Sequence, residues 1–266
     1  MHNLSVKILI IIMAYFLSIS MTYSDDKTMQ RISNFLIDKT EVTIGEFKVY
    51  AKETNFISMA EKKGGGLVYE NGWVQKKGWN WKRPYGLAAL DNEPVVHINF
   101  NEAENYCKWN KKRIPTLKEW ELAAYTEFRP NNRDGYKFKK SYPYPTGENT
   151  LGLNCLNDCN FNYPSKYSKF LLRGYGHVST FSTKKGINGL YDMGGNVWEW
   201  VADSYRPFTK EATLDPTGAP PSPMRVRRGG AFNGPAATLR SANRKSQKAS
   251  NKIFSLGFRL ALRKTN

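Results

Sequence analysis

The sequence has few of the side chains that usually hold a catalytic metal ion. It contains only three histidines, and one of them, His2, lies in an expected export signal. The other two, His97 and His177, cannot supply a three-histidine metal site in the mature protein. Three cysteines are too few for a disulfide framework of the kind that replaces a hydrophobic core. They are Cys107, Cys155 and Cys159.

Long apolar runs are absent beyond the N-terminus. The run at residues 8–17 has the length of a signal-peptide core and is too short to span a bilayer. Small and polar residues follow it, which predicts cleavage near Ser20 or Ser24. We therefore expect a signal peptide at residues 1–24, a domain at residues 25–266 and an exported protein, periplasmic or secreted. An uncleaved N-terminal anchor is the alternative.

An oxidising compartment would allow two of the three cysteines to pair. Cys155 and Cys159 are the natural candidates, which leaves Cys107 over. The sequence leaves open whether these two form a disulfide or remain two free thiols. A zinc site needs four ligands, and the sequence offers no convincing set of four.

Acidic residues are missing from the last part of the chain. The sequence has 40 basic and 23 acidic residues, a formal charge of +17, and no Asp or Glu from Arg225 to Asn266. Such a field attracts an anionic partner. For an exported protein that partner would be an envelope polysaccharide, a lipid phosphate or an acidic protein, and the compartment argues against nucleic acid. The alternative is a basic surface that is merely solvated.

The hydrophobic pattern predicts a loop-rich α+β domain with few helices and short strands. A chain that is 40% hydrophobic and 14% aromatic can bury a core. Capping boxes predict helices after Thr43 and Thr116, and Asn101 is expected to cap a helix between them. Residues 64–85 are expected to form an irregular loop or hairpin, and residues 130–181 a long surface excursion. Strands are predicted at residues 34–38, 94–100, 189–203, 224–231 and 255–263.

Eight characteristic stretches follow one another along the chain. They are Asp38-Lys-Thr-Glu-Val-Thr, Pro94-Val-Val-His-Ile, Ala103-Glu-Asn-Tyr-Cys-Lys-Trp, Arg113-Ile-Pro-Thr-Leu-Lys-Glu-Trp-Glu, Gly189-Leu-Tyr-Asp-Met-Gly-Gly-Asn-Val-Trp-Glu-Trp, Arg228-Gly-Gly-Ala-Phe, Arg240-Ser-Ala-Asn-Arg and Leu256-Gly-Phe-Arg. Their order resembles the formylglycine-generating enzyme family, also called the sulfatase-modifying-factor domain. The resemblance covers about residues 33 to 262 and implies a variant of the C-type lectin fold in one domain.

The resemblance implies a structural calcium ion. Calcium accepts carbonyl and carboxylate oxygens in a flexible shell, which suits irregular backbone. The implied ligands are Asp192, Gly195, Val197 and Glu199, and a capped turn without an ion is the alternative. A second family site would begin at Asn154 and Cys155, but Phe170 stands where its later carboxylate is expected.

The family's copper ligands are missing. Oxidative members resemble one another in a Gly-Gly-Ser-x-x-Cys-x4-Cys segment, whose two thiolates bind copper. In this sequence Ala231 replaces the serine, and Gly234 and Leu239 replace the two cysteines. A copper–thiolate centre therefore cannot form there, and formylglycine generation of the usual kind is not expected.

Three classes of function stay open. The first is a binding or maturation factor of the cell envelope that holds an anionic ligand or a peptide or protein substrate. Its groove would use Trp198, Asn233, Arg240 and Arg244, since arginine can grip a carboxylate or phosphate in bidentate fashion. The second is a divergent periplasmic oxidoreductase of the siderophore- or chromophore-maturation type, and the sequence leaves iron binding open. The third is a diversified, lectin-like ligand-binding protein.

Four residues also have a purely structural interpretation. His97 lies in an apolar stretch and is expected to be a buried, hydrogen-bonded core residue rather than a ligand. His177 lies in a loop and indicates nothing by itself. Trp198 and Trp200 flank Glu199 in the chain, and one of them is expected to line a groove while the other packs inside.

Overall fold

A computed structural model describes residues 28–156, 159–161, 166–171, 174–205 and 222–263. The expected signal peptide at residues 1–24 lies outside these ranges. Among the residues that the structure describes, no helix is both long and apolar enough to cross a membrane.

Four α-helices occur in the described ranges, and all begin in the same way. In each, the residue before the helix accepts a hydrogen bond from the amide three residues on, and a glutamate at that position returns a bond to its backbone. This capping box satisfies amide groups that have no partner inside the helix. The helices are α1 (Ile44–Glu53), α2 (Met59–Lys62), α3 (Phe100–Trp109) and α4 (Leu117–Tyr125).

Short strands form three small sheets. The strands are β1 (Met29–Ile32), β2 (Phe35–Asp38), β3 (Gly65–Tyr69), β4 (Trp73–Lys77), β5 (Trp198–Ser204), β6 (Met224–Arg228), β7 (Lys245–Lys248), β8 (Leu256–Gly257) and β9 (Ala261–Arg263). The first sheet has the order β1-β2-β9, the second is the β3–β4 hairpin, and the third has the order β7-β6-β5-β8. The first sheet joins the two ends of the domain, because Phe35 pairs with Arg263.

Strand β5 separates the two main hydrophobic clusters. Its alternate residues Trp198 and Trp200 belong to the larger cluster, together with the aromatic face of α1 and α3. Val201 belongs to the smaller cluster, together with Trp120 of α4. Successive side chains of a strand point to opposite faces, so this one strand supplies side chains to both clusters.

The predicted strand at residues 94–100 is wrong. His97 has a positive φ of 59°, and Asn99, not Asn101, caps α3, which begins at Phe100. Val95 and Ile98 are buried on either side of this turn. An apolar run without a clear period does not distinguish a strand from irregular buried backbone.

Two other predicted strands differ clearly from the observed ones. In the stretch 189–203, the strand begins only at Trp198, after a loop with positive φ at Asp192 and Asn196. The predicted closing strand at 255–263 is divided. Its first part, β8, pairs in parallel with β5, and its last part, β9, pairs with β2. Within 130–181, the described residues contain one short 3-10 turn, Ser168–Phe170, as expected for a loop excursion.

Candidate functional site

The segment that follows β6 lies where the resemblance expects a copper centre. Gly229 and Gly230 have φ angles of 93° and 78°, which favour glycine. A side-chain carbon at Gly230 would lie 2.7 Å from Leu239 Cδ1. Leu239 itself is fully buried, and its carbonyl oxygen accepts a hydrogen bond of 3.0 Å from the Tyr125 hydroxyl. The residue at the second cysteine position is therefore an apolar core residue held in place by neighbouring groups.

A disulfide lies beside this segment. Cys155 and Cys159 are bonded to each other, and both pack with Leu239 in a small apolar cluster. The amide of Leu156 donates a hydrogen bond of 2.9 Å to the carbonyl oxygen of Gly234. The remaining cysteine, Cys107, is a buried free thiol in the larger cluster, and burial raises its pKa. All three cysteines of the chain are described, so the protein in this state has no pair of free thiols to hold a soft metal.

A cavity of about 230 Å³ opens next to Asn233. The hairpin of β3 and β4 forms one side, and three further segments form the rest: Leu171 with Tyr175, Phe232 with Asn233, and Phe254. The described lining contains one ionisable acid, Glu70, which pairs with Lys76 at 2.8 Å, and no cation. Aromatic rings with amides suit a ligand that has an apolar face and hydrogen-bonding groups. The main lining residues are Tyr69, Glu70, Asn71, Tyr175, Phe232 and Asn233.

Trp198 does not line that cavity; it lies under an arginine that the sequence analysis missed. Its side chain is buried in the larger cluster, and the guanidinium carbon of Arg227 lies 4.5 Å from its ring centroid. Arg227 Nε is buried and has no hydrogen-bond partner in the described ranges. Burial lowers the pKa of Arg227 to about 10.

The neighbours of Arg227 on the sheet carry no negative charge. In the sheet register Arg227 pairs with Trp200 on one side and with Lys245 on the other. Directly opposed residues in an antiparallel pair share a face, so two cations are adjacent here. A largely buried guanidinium on an aromatic ring, without an acidic partner among the described residues, is a ready receptor for an anion.

The two predicted arginines face aromatic rings other than that of Trp198. The guanidinium of Arg240 is 5.9 Å from the ring centroid of Tyr144, and that of Arg244 is 5.5 Å from the ring of Tyr205. Of the four residues expected to share a groove, only Asn233 lines the cavity. Charge counting along the chain could not single out Arg227, because its distinguishing features are burial and the lack of a near acid.

The implied calcium ligands lie in a buried cluster of charges. Asp192 accepts hydrogen bonds from the Thr183 hydroxyl (2.6 Å) and the Phe181 amide (3.3 Å). Both oxygens of Glu199 are engaged: Arg259 donates to each of them, and Trp120 donates to one. A calcium ion bound by Glu199 would compete with these donors, so the arrangement seen here fits the ion poorly at that residue. The described residues contain no group of three or more acidic, histidine or cysteine side chains arranged to hold a metal ion.

One unassigned carboxylate borders the same cluster. Glu41 is buried, and its Oε2 atom has no hydrogen-bond partner among the described atoms. Its Oε1 atom accepts a bond of 3.1 Å from Asn196, the residue between Gly195 and Val197. Burial and the nearby Asp192 carboxyl raise the pKa of Glu41, and burial also raises that of Asp192. The cluster therefore holds more carboxylates than the single guanidinium of Arg259 can neutralise.

His177, which gave no signal in the sequence, belongs to a buried network. Its Nε2 atom lies 2.9 Å from Glu93, and its Nδ1 atom lies 2.8 Å from the Tyr85 hydroxyl. Tyr167 and Lys166 also contact Glu93. Burial opposes ionisation of Glu93, but the bonds from these partners outweigh it and lower its pKa to about 2. His97, in contrast, is the core residue that was predicted: it is fully buried, and its Nε2 atom bonds to the Pro84 carbonyl.

The fold is a loop-rich α+β domain whose sequence motifs occur in a characteristic order. Comparison with known proteins identifies the family to which such a domain belongs. Residues 18–264 match the sulfatase-modifying factor enzyme 1-like domain, and the chain belongs to this family.

Two curated proteins of similar sequence illustrate the range of this family. The chain is 30% identical over 260 residues to the formylglycine-generating enzyme of Streptomyces coelicolor, which covers 87% of this chain and 79% of that protein. It is also 30% identical over 198 residues to the inactive C-alpha-formylglycine-generating enzyme 2 of Bos taurus, which covers 66% of this chain and 62% of that protein.

Two solved structures share the fold. PvdO from Pseudomonas aeruginosa superposes with a TM-score of 0.60 at 23% identity and covers 86% of this chain and 80% of its own. CarF superposes with a TM-score of 0.53 at 18% identity and covers 87% of both chains. At these identities the likeness establishes the fold alone.

Proposed function

We propose that the protein is an exported binding or maturation factor of this family that acts without thiolate-bound copper. The observation that carries the proposal is the state of the segment after β6. Gly234 and Leu239 lack sulfur, and the two nearest cysteines, Cys155 and Cys159, are bonded to each other. Because cuprous copper prefers sulfur ligands, this chain supplies no copper centre of the family's kind at that place.

Two surfaces would serve binding. The aromatic cavity beside Asn233 offers rings and amides to an apolar or hydrogen-bonding part of a ligand. Arg227, stacked on Trp198, offers an unpaired guanidinium to a carboxylate or phosphate. Trp198 is connected to the cavity through the backbone, since its amide bonds to the carbonyl of Ser255, which follows the cavity residue Phe254. The proposed ligand is therefore anionic, with an apolar or peptide portion.

The test is direct. The full-length protein, purified after expression with its own N-terminus, is incubated with a cysteine-containing peptide, copper and oxygen, and aldehyde is captured with a hydrazide. An active formylglycine-generating enzyme is the positive control. We expect no aldehyde above the level without enzyme. Copper-dependent aldehyde formation would refute the proposal, and N-terminal sequencing of the same protein tests the expected cleavage at residues 20–24.

Calcium is part of the proposal as a structural ion. It would be held by Asp192 and the loop backbone at Gly195 and Val197, and Glu199 would have to release part of its bond to Arg259 to join them. Calcium supplies a divalent charge that offsets the carboxylate excess of this cluster. A rise in melting temperature with CaCl2 but not with MgCl2 supports the ion; equal curves with CaCl2 and with a chelator argue for the ion-free arrangement.

A divergent oxidoreductase is the alternative, and one observation favours it. Tyr85, which bonds to His177, also packs against Phe232 and Phe254 of the cavity wall, with ring centroids 6.4 Å away in both cases. A tyrosine–histidine–carboxylate chain is suited to move a proton near a bound substrate. Ligand binding that survives Tyr85→Phe supports the binding role, whereas ligand-dependent oxygen consumption that is lost in this variant supports the alternative.

A further inference from the structure

The end of the β3–β4 hairpin exposes large aromatic side chains. Within the described ranges β4 pairs only with β3, and Trp73, Val74 and Gln75 are all exposed. Successive side chains of a strand point to opposite faces, so both faces of β4 meet solvent and this end of the hairpin projects from the domain. Tyr69 pairs with Trp73 in the register, and the two residues are 56% and 46% exposed. Exposed apolar groups that lie together mark an interaction surface.

The two rings form a wedge rather than a flat platform. Their centroids lie 5.4 Å apart and their planes meet at 75°, an edge-to-face arrangement. Two rings at this angle do not share a plane on which consecutive sugar units could stack. Tryptophan and tyrosine are enriched where lipid headgroups meet the hydrocarbon of a bilayer, because an apolar ring carries one polar group. The geometry of Tyr69 and Trp73 therefore favours a lipid surface over a polysaccharide.

Cations lie on the same face as Trp73. Lys77 follows Trp73 by four residues on β4, which places the two side chains on one face of the hairpin. Lys63, the residue after α2, lies next to this strand, because its carbonyl oxygen accepts a hydrogen bond of 2.6 Å from the Gln75 side chain. Both lysines are exposed, and neither forms an ion pair with an acid of the described ranges. This face is therefore both aromatic and positively charged.

The acids of this region are already paired. Residues 59–79 contain two of them, Glu61 and Glu70. Glu61 pairs with Lys82 and Glu70 pairs with Lys76, each at 2.8 Å. The two lysines of the aromatic face are thus not balanced by neighbouring acids, and their field attracts a surface of negative charge.

We propose that this hairpin face docks on a membrane surface that contains anionic lipids. The face consists of Tyr69, Trp73, Gln75 and Lys77, with Lys63 beside it. The two rings would enter the headgroup layer, and the lysines would face the lipid phosphates. Such binding is peripheral, because the hairpin lies on the bilayer without crossing it.

This docking surface is independent of the proposed function, because it uses neither the segment after β6 nor Arg227. It does have a consequence for the Asn233 cavity. Tyr69 lines that cavity as well, so docking would hold the cavity next to the lipid surface.

Vesicle binding tests the proposal. The full-length protein, expressed with its own N-terminus, is floated with vesicles of phosphatidylcholine, either alone or with one third phosphatidylglycerol. We expect binding to the anionic vesicles to be at least fivefold tighter, because each lysine near such a surface contributes about fivefold in affinity. Equal binding to both kinds of vesicle, or no binding to either, would overturn the proposal.

Substitutions in the hairpin locate the surface. Trp73→Ala should weaken binding to anionic vesicles about tenfold, because a large apolar side chain no longer leaves water. The double variant Lys63→Gln/Lys77→Gln should also weaken it about tenfold and should leave binding to neutral vesicles unchanged. Melting curves identify any variant that fails to fold.

Residues 137–139 provide a matched control. Phe138 is 47% exposed and lies between the exposed Lys137 and Lys139 in the chain. Phe138→Ala and the double variant Lys137→Gln/Lys139→Gln remove an exposed aromatic ring and two positive charges, as the hairpin variants do, and should leave the affinity nearly unchanged. The N-terminal residues are the same in all variants, so any membrane contact they make cancels in the comparison. Equal losses for hairpin and control variants would show a diffuse basic attraction and contradict a specific docking face.

Trp73 provides a readout independent of affinity. It is the only exposed one of the seven tryptophans, all of which the structure describes. Brominated lipids quench a tryptophan that enters the headgroup layer, so they should quench part of the wild-type fluorescence. Trp73→Phe keeps an aromatic ring and should bind like wild type, but it should lose this quenching. Quenching of equal size in Trp73→Phe would contradict insertion of the hairpin.

The same hairpin position separates a lipid surface from a polysaccharide. We expect any affinity for alginate, a soluble acidic polysaccharide, to be equal in wild type and Trp73→Ala. A loss of alginate binding in Trp73→Ala, without binding of the wild type to vesicles, would assign the hairpin to a polysaccharide and show that the proposal is wrong.

Discussion

The carboxylate of Glu199 and the guanidinium of Arg259 face each other in the interior, joined by hydrogen bonds of 2.6 and 2.7 Å. Neither residue is exposed to solvent. Arg259 also donates to the backbone carbonyls of Asp38 and Tyr191, at 3.0 Å each. One buried pair thus connects the central strand β5, the chain after β8, the end of β2 and the loop before β5.

Breaking this pair should be costly. Glu199→Gln would remove the carboxylate that accepts hydrogen bonds from the buried Arg259, and removing one partner of a buried ion pair typically destabilises a protein by about 3–5 kcal/mol. Glu104→Gln removes one half of an exposed helical pair with Lys108 and should cost less than about 1 kcal/mol. Urea unfolding measures both. Similar losses for the two variants would contradict a structural role of the buried pair.

The second prediction concerns the disulfide. It tests the oxidation state of Cys155 and Cys159, on which the proposed function depends. Unfolded without reductant, the protein should show one reactive thiol, Cys107; after reduction it should show three. Replacing Cys155 and Cys159 by alanine should lower the free energy of unfolding by only about 2 kcal/mol, because the closed loop is short. Three reactive thiols before reduction would contradict the assigned pairing.

Local signals in the sequence predicted local structure well. The capping boxes at Thr43 and Thr116 identified α1 and α4 near their observed starts, because cap and glutamate lie three residues apart. The motif order identified the family and hence the fold. The missing cysteines were evident for the same reason, since the positions of Gly234 and Leu239 follow directly from the motif.

Contacts between distant segments were not predictable in the same way. The position of the His97 ring depends on Gly66, where a side-chain carbon would lie 2.0 Å from the ring. The division of residues 255–263 into two strands depends on β5 and β2, which pair with different parts of it. No local pattern encodes such pairing.

The candidate site shows the same limit. Asn233 was found because it follows a recognisable motif, and it does line a cavity. Arg227 was one of eleven cations in an acid-free stretch, and its burial over Trp198 distinguishes it only in three dimensions. His177 likewise acquires its partners Glu93 and Tyr85 from segments more than 80 residues away.

Arg227 is the basis of a binding prediction. Hydrogen bonds to a charged group contribute about 1.5–3 kcal/mol, so Arg227→Gln should weaken binding of an acidic peptide with apolar side chains tenfold or more. Arg240→Gln removes the same charge from an exposed side chain and should change the affinity less than about threefold. Tryptophan fluorescence is a suitable readout, because Trp198 contacts Arg227.

The comparison of the two arginine variants can also contradict the prediction of a specific site. Both variants lower the net charge by one, so a purely electrostatic attraction would weaken equally in the two. Equal effects would therefore support a diffuse basic surface over a specific site. A larger loss of affinity for Arg240→Gln would instead place the binding site at Arg240 and Arg244, the arginines proposed from the sequence.

His97 is the basis of the last prediction, a loss of stability in acid. Burial of the enclosed ring lowers its pKa from 6.5 to about 4, and this outweighs the hydrogen bonds to backbone carbonyls, which favour the protonated form. The unfolded chain therefore takes up a proton at this residue before the folded protein does. The free energy of unfolding should fall as the pH decreases from about 6.5 towards 4, and it should regain this contribution at neutral pH.

The substitution that isolates this effect is His97→Asn. Asparagine tolerates the positive φ of 59° at this position and does not titrate. The slope of unfolding free energy against pH between 6.5 and 4 should decrease by up to about one proton, although His177 and the carboxyl groups still titrate. Urea unfolding at half-unit pH steps measures the slope. An unchanged slope in a folded His97→Asn variant would show that His97 is protonated equally in both states, contrary to its burial in the core.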